Sequence, residues 1–135
     1  MNTAPHTAET QKVANRFHEL MTTGQSHQAM VELYADNARH IEVMEMPGSP
    51  YKRIIEGKPN LLKMSEEWAK NTTVHSASCG KPIANDDQFV CDMALDCTSH
   101  HGPMAGQRMN MSETCLYTVK NGKITEAKFF YCCGQ

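Results

Sequence analysis

Residues 108–131, RMNMSETCLYTVKNGKITEAKFFY, decide the fold, because they predict two antiparallel strands around an Asn121-Gly122 turn. Asn-Gly between two alternating segments is the strongest short-range signal for a β-hairpin. Every second residue of the first strand would lie on one face. That face would carry Met109, Met111, Glu113, Cys115, Tyr117 and Val119. The carboxylate of Glu113 interrupts this otherwise apolar or amphipathic row. A carboxylate on a core-facing strand is unusual and needs either a structural or a functional explanation.

The remainder of the chain predicts a group of helices followed by a group of strands. Apolar residues recur at helical spacing from Thr7 onward, and Lys58-Pro59 opens a later helix, where proline is tolerated in the first turn. The predicted order is helix (from Thr7), helix (26–34), strand (38–46), helix (58–71) and strands at 72–83, 88–99, 108–119 and 123–133. This order favours an α+β fold, in which about three helices pack on one face of an antiparallel sheet.

Length and composition predict one folded domain. The chain has 135 residues, of which 40 % are hydrophobic and 21 % are charged. Those values are typical of a globular protein and exclude a disordered one. Residues 1–6 are expected to form a loose tail, and residues 7–135 a single domain.

Charge and cysteine usage exclude several classes of partner and site. A formal net charge of -2 gives no attraction to nucleic acid or to anionic membranes. No secretory signal and no apolar run long enough for a membrane span are visible, so we expect a cytoplasmic protein. The six cysteines are then expected to be free thiols, with Cys91, Cys97 and Cys115 buried in strands. Neither CxxC nor HExxH occurs, so we expect no metal site.

Three segments carry a resemblance to a known family. They are FHELMTTGQSHQAMVELYADNARHIEV (17–43), EGKPNLLKMSEEW (56–68) and MSETCLYTVKNGKITEAKFFY (111–131). Together they resemble the SnoaL-like branch of the nuclear transport factor 2-like superfamily, over residues 7–131. The turn into the first strand at LYADN and the terminal hairpin are the most specific pieces.

The resemblance implies a strongly curved antiparallel sheet wrapped around the helices, which forms a cone with a pocket at its open end. It implies a homodimer, because small bacterial members commonly form one. The family holds polyketide cyclases, isomerases, epoxide hydrolases and dehydratases, and also binding domains without chemistry. Fold alone therefore leaves function open. No catalytic residue of the family aligns with a motif of this sequence, and none is carried over.

Glu113 admits three interpretations. An ionised carboxylate is costly to bury without partners, so it would be held by a neighbouring His, Arg or Tyr, or its pKa would rise. In the second case, Glu113 would line the pocket and exchange a proton with a carbonyl substrate. In the third, the strand is shifted by one residue and Glu113 faces solvent.

Other residues are candidates for the same pocket. His40 and Tyr131 are the expected catalytic partners of Glu113, since either could donate to a developing enolate oxygen. His40 and Glu42 would share one strand face. The histidines of the His100-His101 loop are expected to be solvated. The expected pocket lining is Tyr34, Glu42, Trp68, His75, Met93, Met109, Met111 and Phe129.

Two functions remain open. The first is a cofactor-independent enzyme that performs acid–base proton transfer, as an isomerase, cyclase or hydratase, on a small apolar carbonyl compound. The second is a non-catalytic module that binds a small molecule or dimerises through the outer sheet face, which carries Asn110, Ser112, Thr114, Leu116 and Thr118.

Overall fold

The computed structural model describes residues 2–45 and 48–132. In that part of the chain the elements are α1 (Thr7–Thr22), α2 (Ser26–Leu33), β1 (Tyr34–Ile41), β2 (Ile54–Glu56), α3 (Lys58–Asn71), β3 (Thr72–Cys79), β4 (Ile83–Asn85), β5 (Gln88–Ser99), β6 (Arg108–Lys120) and β7 (Lys123–Phe130). The α+β class and the three helices are therefore confirmed. No helix of the described residues is both long and apolar enough to cross a membrane.

The strands form one curved, unclosed sheet in the order β2-β1-β7-β6-β5-β3, and β4 pairs with β5. All neighbours are antiparallel except β1 and β7, which are parallel. The sheet is thus mixed, and the expectation of a purely antiparallel sheet was wrong in this one pairing. No hairpin joins β1 to β7, so no tight turn fixes their relative direction. β1 instead covers the edge of β7 that would otherwise leave backbone groups unpaired.

The core lies between α1 and the concave face of the sheet. Phe17 of α1 is 2 % exposed and packs against Tyr117 of β6, with ring centroids 4.7 Å apart. Phe89 of β5 stacks on Tyr117 at 4.8 Å. The apolar residues of α1 recur every three or four positions, which places them on the face that meets the sheet.

Strand β1 differs from its predicted bounds. It begins at Tyr34 and ends at Ile41, whereas the sequence predicted 38–46. Tyr34 is buried and pairs with Ile124 of β7, so tertiary contacts extend the strand toward the preceding helix. Met46, the last residue of the predicted strand, lies outside the described residues.

Two other strands were predicted too long. The single irregular strand expected at 72–83 is divided into β3 and the three-residue β4. β7 ends at Phe130, and Cys133, where the predicted strand ended, lies outside the described residues. By contrast, the hairpin turn is confirmed, since Asn121 and Gly122 have φ of 52 and 76. Positive φ at both central residues is the requirement of a type I′ turn.

Candidate functional site

Glu113 lies on the concave face of the sheet. In the β5–β6 ladder it is opposite Met93, and Cys115 is opposite Cys91. Cys115 is fully buried and Tyr117 is 2 % exposed, so the alternation of the strand turns Glu113 toward the same interior. Glu113 itself is half-buried. The strand is therefore not shifted by one residue, and Glu113 does not lie on the outer face.

No cation neutralises Glu113 within the described residues, where no Lys, Arg or His nitrogen is within 4.0 Å of its carboxylate. Its contact is the Cys115 thiol, whose Sγ lies 3.7 Å from Oε1. Burial raises the pKa of Glu113, and repulsion from the Glu42 carboxylate raises it further, while the thiol lowers it. The arrangement stabilises the protonated carboxyl group.

Glu42 is the second carboxylate of this interior face. It follows β1, and its backbone N–H donates to the Arg53 carbonyl at 2.8 Å, which fixes the chain where it leaves the strand. The Tyr131 hydroxyl donates to Glu42 Oε2 at 3.1 Å. Burial raises the pKa of Glu42, and the hydrogen bond from Tyr131 opposes that shift.

His40 and Tyr34 form a buried pair on β1. His40 is 5 % exposed and Tyr34 is 4 % exposed. The Tyr34 hydroxyl and His40 Nε2 are 2.7 Å apart. Burial lowers the pKa of His40 to about 4, so the imidazole is neutral at pH 7. Phe129 contacts the imidazole edge-on, with ring centroids 5.0 Å apart.

The structure thus brings five of the candidate residues to one region of the concave face, namely Glu42, Glu113, Tyr131, His40 and Phe129. His40 and Glu42 share this face, as the sequence predicted. Met93 also belongs to it, because it is the cross-strand neighbour of Glu113 and packs partly buried against the core.

Four predicted lining residues are less enclosed. Trp68, near the end of α3, is 42 % exposed, and Met111 is 41 % exposed. Met109 is half-buried opposite Cys97, four ladder pairs beyond the pair of Met93 with Glu113. His75 lies at an irregularity of β3 and contacts the Thr98 hydroxyl at 2.8 Å, on the outer face of the sheet. The structure does not bring His75 to the carboxylates.

Sequence reasoning missed one contact at the site and one elsewhere in the chain. Cys115 was taken only as core, although its position two residues after Glu113 places both on one face. Tyr51, in the segment before β2, donates a short hydrogen bond to Glu67 of α3. Burial raises the pKa of Tyr51 to about 12, and Glu67 raises it as well. No local pattern could have paired these two residues, because the contact joins a loop to a helix.

Two surface grooves lie away from the carboxylates. One, of about 290 Å³, is lined by Asn37, Arg39, Thr118, Lys120, Thr125 and Glu126. The other, of about 210 Å³, lies over β3, β5 and β6 and includes Asp96, Asn110 and Ser112. Arg39 alternates with buried Ala38 and His40, so the first groove belongs to the outer face. The second groove is lined by Asn110 of the outer face and also by Leu95 and Met111, so it is not confined to that face.

The donor set supports proton transfer more directly than metal binding. Across residues 2–45 and 48–132, no group of three His, Cys, Asp or Glu side chains is placed to hold a metal ion. Two half-buried carboxyl groups with raised pKa, next to a phenol, are groups that can hold and release protons.

Comparisons with known proteins give the family. The family model of a SnoaL-like domain matches residues 8–131. A crystal structure from Mesorhizobium loti, provisionally named a SnoaL-like polyketide cyclase and carbohydrate phosphatase, is 38 % identical, with a TM-score of 0.79 over 89 % of this chain and 97 % of that chain. A comparison with curated proteins finds no match.

More distant structures share the fold. An epoxide hydrolase from M. tuberculosis is 12 % identical, with a TM-score of 0.68 over 95 % of this chain and 86 % of that chain. A provisionally named isomerase from Bacillus subtilis is 17 % identical, with a TM-score of 0.67 over 93 % of this chain and 87 % of that one. Because the family model spans nearly the whole domain and the Mesorhizobium protein agrees in both sequence and fold, this chain belongs to the SnoaL-like family of the nuclear transport factor 2-like fold.

Proposed function

We propose that this protein is an enzyme that catalyses acid–base proton transfer, as an isomerase, cyclase or hydratase, on a small apolar carbonyl compound. The observation that supports it most is the meeting of Glu42, Glu113 and Tyr131 on the concave face, where no described cation neutralises the carboxylates. A structural Glu113 would be held by a neighbouring His, Arg or Tyr, whereas its contact among the described residues is the Cys115 thiol. Related proteins named polyketide cyclase, isomerase and epoxide hydrolase add support.

The proposed chemistry needs no bound cofactor. A carboxylate removes a proton next to the carbonyl, and a hydrogen-bond donor stabilises the oxygen as negative charge develops there. The Tyr131 hydroxyl donates to Glu42 at 3.1 Å and orients that carboxylate. Neutral His40, already bonded to Tyr34, supports the wall of the site together with Phe129. Met93, Met109 and Met111 would give an adaptable apolar lining for the substrate.

The test is hydrogen–deuterium exchange in a panel of enolisable ketones, followed by proton NMR in D₂O. We expect the parent protein to accelerate loss of the signal of the proton next to the carbonyl. Glu113→Gln should reduce that acceleration by roughly 10²-fold or more, the usual contribution of a positioned acid or base. Glu9→Gln, at an exposed position in the first turn of α1, is the matched control. Equal exchange with the parent and with Glu113→Gln would contradict the proposal.

The second candidate is a non-catalytic module that binds a small molecule or pairs with a second copy of this chain. The two surface grooves favour it, since neither is lined by the carboxylates. Val90 and Phe130, 39 % and 45 % exposed, lie on the outer face. Sedimentation velocity at micromolar protein concentration tests whether the chain forms a dimer. A single monomeric species would exclude the dimer.

A further inference from the structure

The two carboxyl groups of the site have unequal hydrogen-bond donors. Glu42 accepts from the phenolic O–H of Tyr131 at 3.1 Å. Glu113 accepts from the thiol of Cys115, with 3.7 Å between sulfur and oxygen. A phenol is a good donor and a thiol is a weak one. The phenol therefore stabilises the ionised form of Glu42 more than the thiol stabilises the ionised form of Glu113.

Among the described residues, no Lys, Arg or His nitrogen lies within 4.0 Å of either carboxylate. The Arg53 guanidinium, from the segment before β2, donates to the backbone carbonyl of Glu42 at 3.3 Å. Other groups also face the pair. From β1 there is His40, which burial keeps neutral and which is bonded to Tyr34. From β5 there are Met93 and the Cys91 thiol, and from β6 the Cys115 thiol and the buried hydroxyl of Tyr117. Tyr131 follows β7. Phe130 pairs with Thr114, which brings Tyr131 level with Glu113, and Tyr131 is bonded to Glu42, so the two carboxyl groups lie in one neighbourhood. Two neighbouring carboxylates without a cation do not both ionise readily.

We propose that Glu42, held by Tyr131, is the ionised member of this pair, and that Glu113, held only by Cys115, is the protonated member. Glu42 is then the base and Glu113 the acid. This reverses the expectation from the sequence, in which Glu113 was the base. The assignment of catalytic roles rests on the function proposed above, whereas the assignment of charge does not.

The division of roles gives a balanced reaction. The Glu42 carboxylate takes the proton from the carbon next to the carbonyl, and the electron pair of that C–H bond forms the carbon–carbon double bond of an enol. The electrons of the carbonyl π bond move to oxygen, which receives the proton of Glu113. Glu42 then returns its proton to carbon, and Glu113 recovers its own from the enol oxygen. Each carboxyl group ends in its starting state.

Titration of the full chain by NMR, with the carboxyl carbons of glutamate labelled with ¹³C, tests the charge assignment without substrate. Signals are assigned by their loss in Glu42→Gln and Glu113→Gln. A protonated Glu113 has no charge to act on Glu42, so Glu113→Gln should leave the Glu42 midpoint unchanged. Ionised Glu42 repels the charge that forms on Glu113, so Glu42→Gln should lower the Glu113 midpoint by about one pH unit, the size expected for strongly interacting sites.

The asymmetry is the decisive result. The opposite pattern, in which Glu113→Gln lowers the Glu42 midpoint and Glu42→Gln leaves Glu113 unchanged, would overturn the assignment, and so would equal shifts or none. If a Gln variant does not fold, Tyr131→Phe tests the same assignment. It removes the hydrogen bond that stabilises ionised Glu42, so it should raise the lower of the two titration midpoints. A rise of the higher midpoint would overturn the proposal. Glu9→Gln, which should move neither signal, is the control.

The two proposals fail in different ways. A protein that shows the asymmetric titration but exchanges no ketone proton would retain the charge assignment and lose the enzymatic function. A protein that accelerates exchange but shows the opposite titration order would retain the function with the roles of acid and base exchanged.

Discussion

Glu113→Gln tests, through stability, the cost of holding a carboxylate on the concave face. Burial and Glu42 raise the folded-state pKa of Glu113 above its ordinary value of 4.5. Its stabilising contribution is therefore fully present below the unfolded pKa and is lost as pH rises through the folded pKa. Gln keeps the size and removes the ionisable group. We expect the variant to be more stable than the parent at pH 7, by on the order of 1 kcal/mol, and to lose that advantage at pH 4.

Thermal unfolding at both pH values measures this difference, with Glu9→Gln as the exposed control. A variant that is instead less stable at pH 7 by about 2 kcal/mol or more would show that Glu113 is a partner in a buried hydrogen-bond network. Glu113 would then have a structural role, and the non-catalytic candidate would become the better one.

At the residue scale, the sequence predicted which side chains share a face but not which ones meet. Alternation along β6 placed Glu113 with Cys115 and Tyr117, and that placement is confirmed. Whether a cation neutralises Glu113 could not be predicted, because every possible partner lies on another strand or helix. The meeting of Glu42 with Tyr131 joins residues 89 positions apart in the chain.

At the scale of elements, the β6–β7 hairpin depends on backbone conformation at its turn. Gly122 has φ of 76, and a Cβ there would meet no atom within 4 Å, so substitution would add strain without a clash. We expect Gly122→Ala to lower the free energy of unfolding by about 1 kcal/mol, the lower end of the cost of a left-handed non-glycine residue. Urea denaturation measures the change.

Gly80→Ala is the matched control for the hairpin prediction. Gly80 does not have positive φ, and its added Cβ would lie 3.5 Å from the Asp92 carbonyl oxygen, which is ordinary contact. Equal losses in the two variants would contradict a specific cost of the turn conformation.

Elements with strong local signals were predicted closely, and those that depend on neighbours were not. The sequence placed α3 at 58–71 and β5 at 88–99, and the structure has the same bounds. The predicted bounds of β1 were wrong because the periodicity of the segment was ambiguous. Burial of Tyr34 against β7 determines where the strand begins. Local periodicity contains no information about such a contact.

At the scale of the whole molecule, the reactivity of the cysteine thiols measures how accessible the interior is to a small reagent. Cys91, Cys97 and Cys115 are 4 %, 1 % and 0 % exposed, whereas Cys132 is exposed. We expect iodoacetamide to label Cys132 in the native protein and to reach the three buried thiols only when the domain unfolds, since buried thiols are inert. Peptide mass spectrometry measures the rates.

Labelling in concentrated urea, where all of these thiols should react, is the control for the cysteine prediction. Native labelling of Cys115 as fast as that of Cys132 would contradict a closed interior. It would also indicate an open path to Glu113, because the Cys115 sulfur lies 3.7 Å from that carboxylate.

The sequence by itself determined the α+β class, the helices, the Asn121-Gly122 hairpin and the face on which Glu113 lies, because these depend on periods of two or 3.6 residues and on turn chemistry. Only the tertiary structure decided that β1 runs parallel to β7, and hence that Glu42 meets Tyr131 beside Glu113. The physical reason is that pairing between strands distant in the chain follows from burial and from backbone groups that need partners, and neither is specified by the local pattern of a segment.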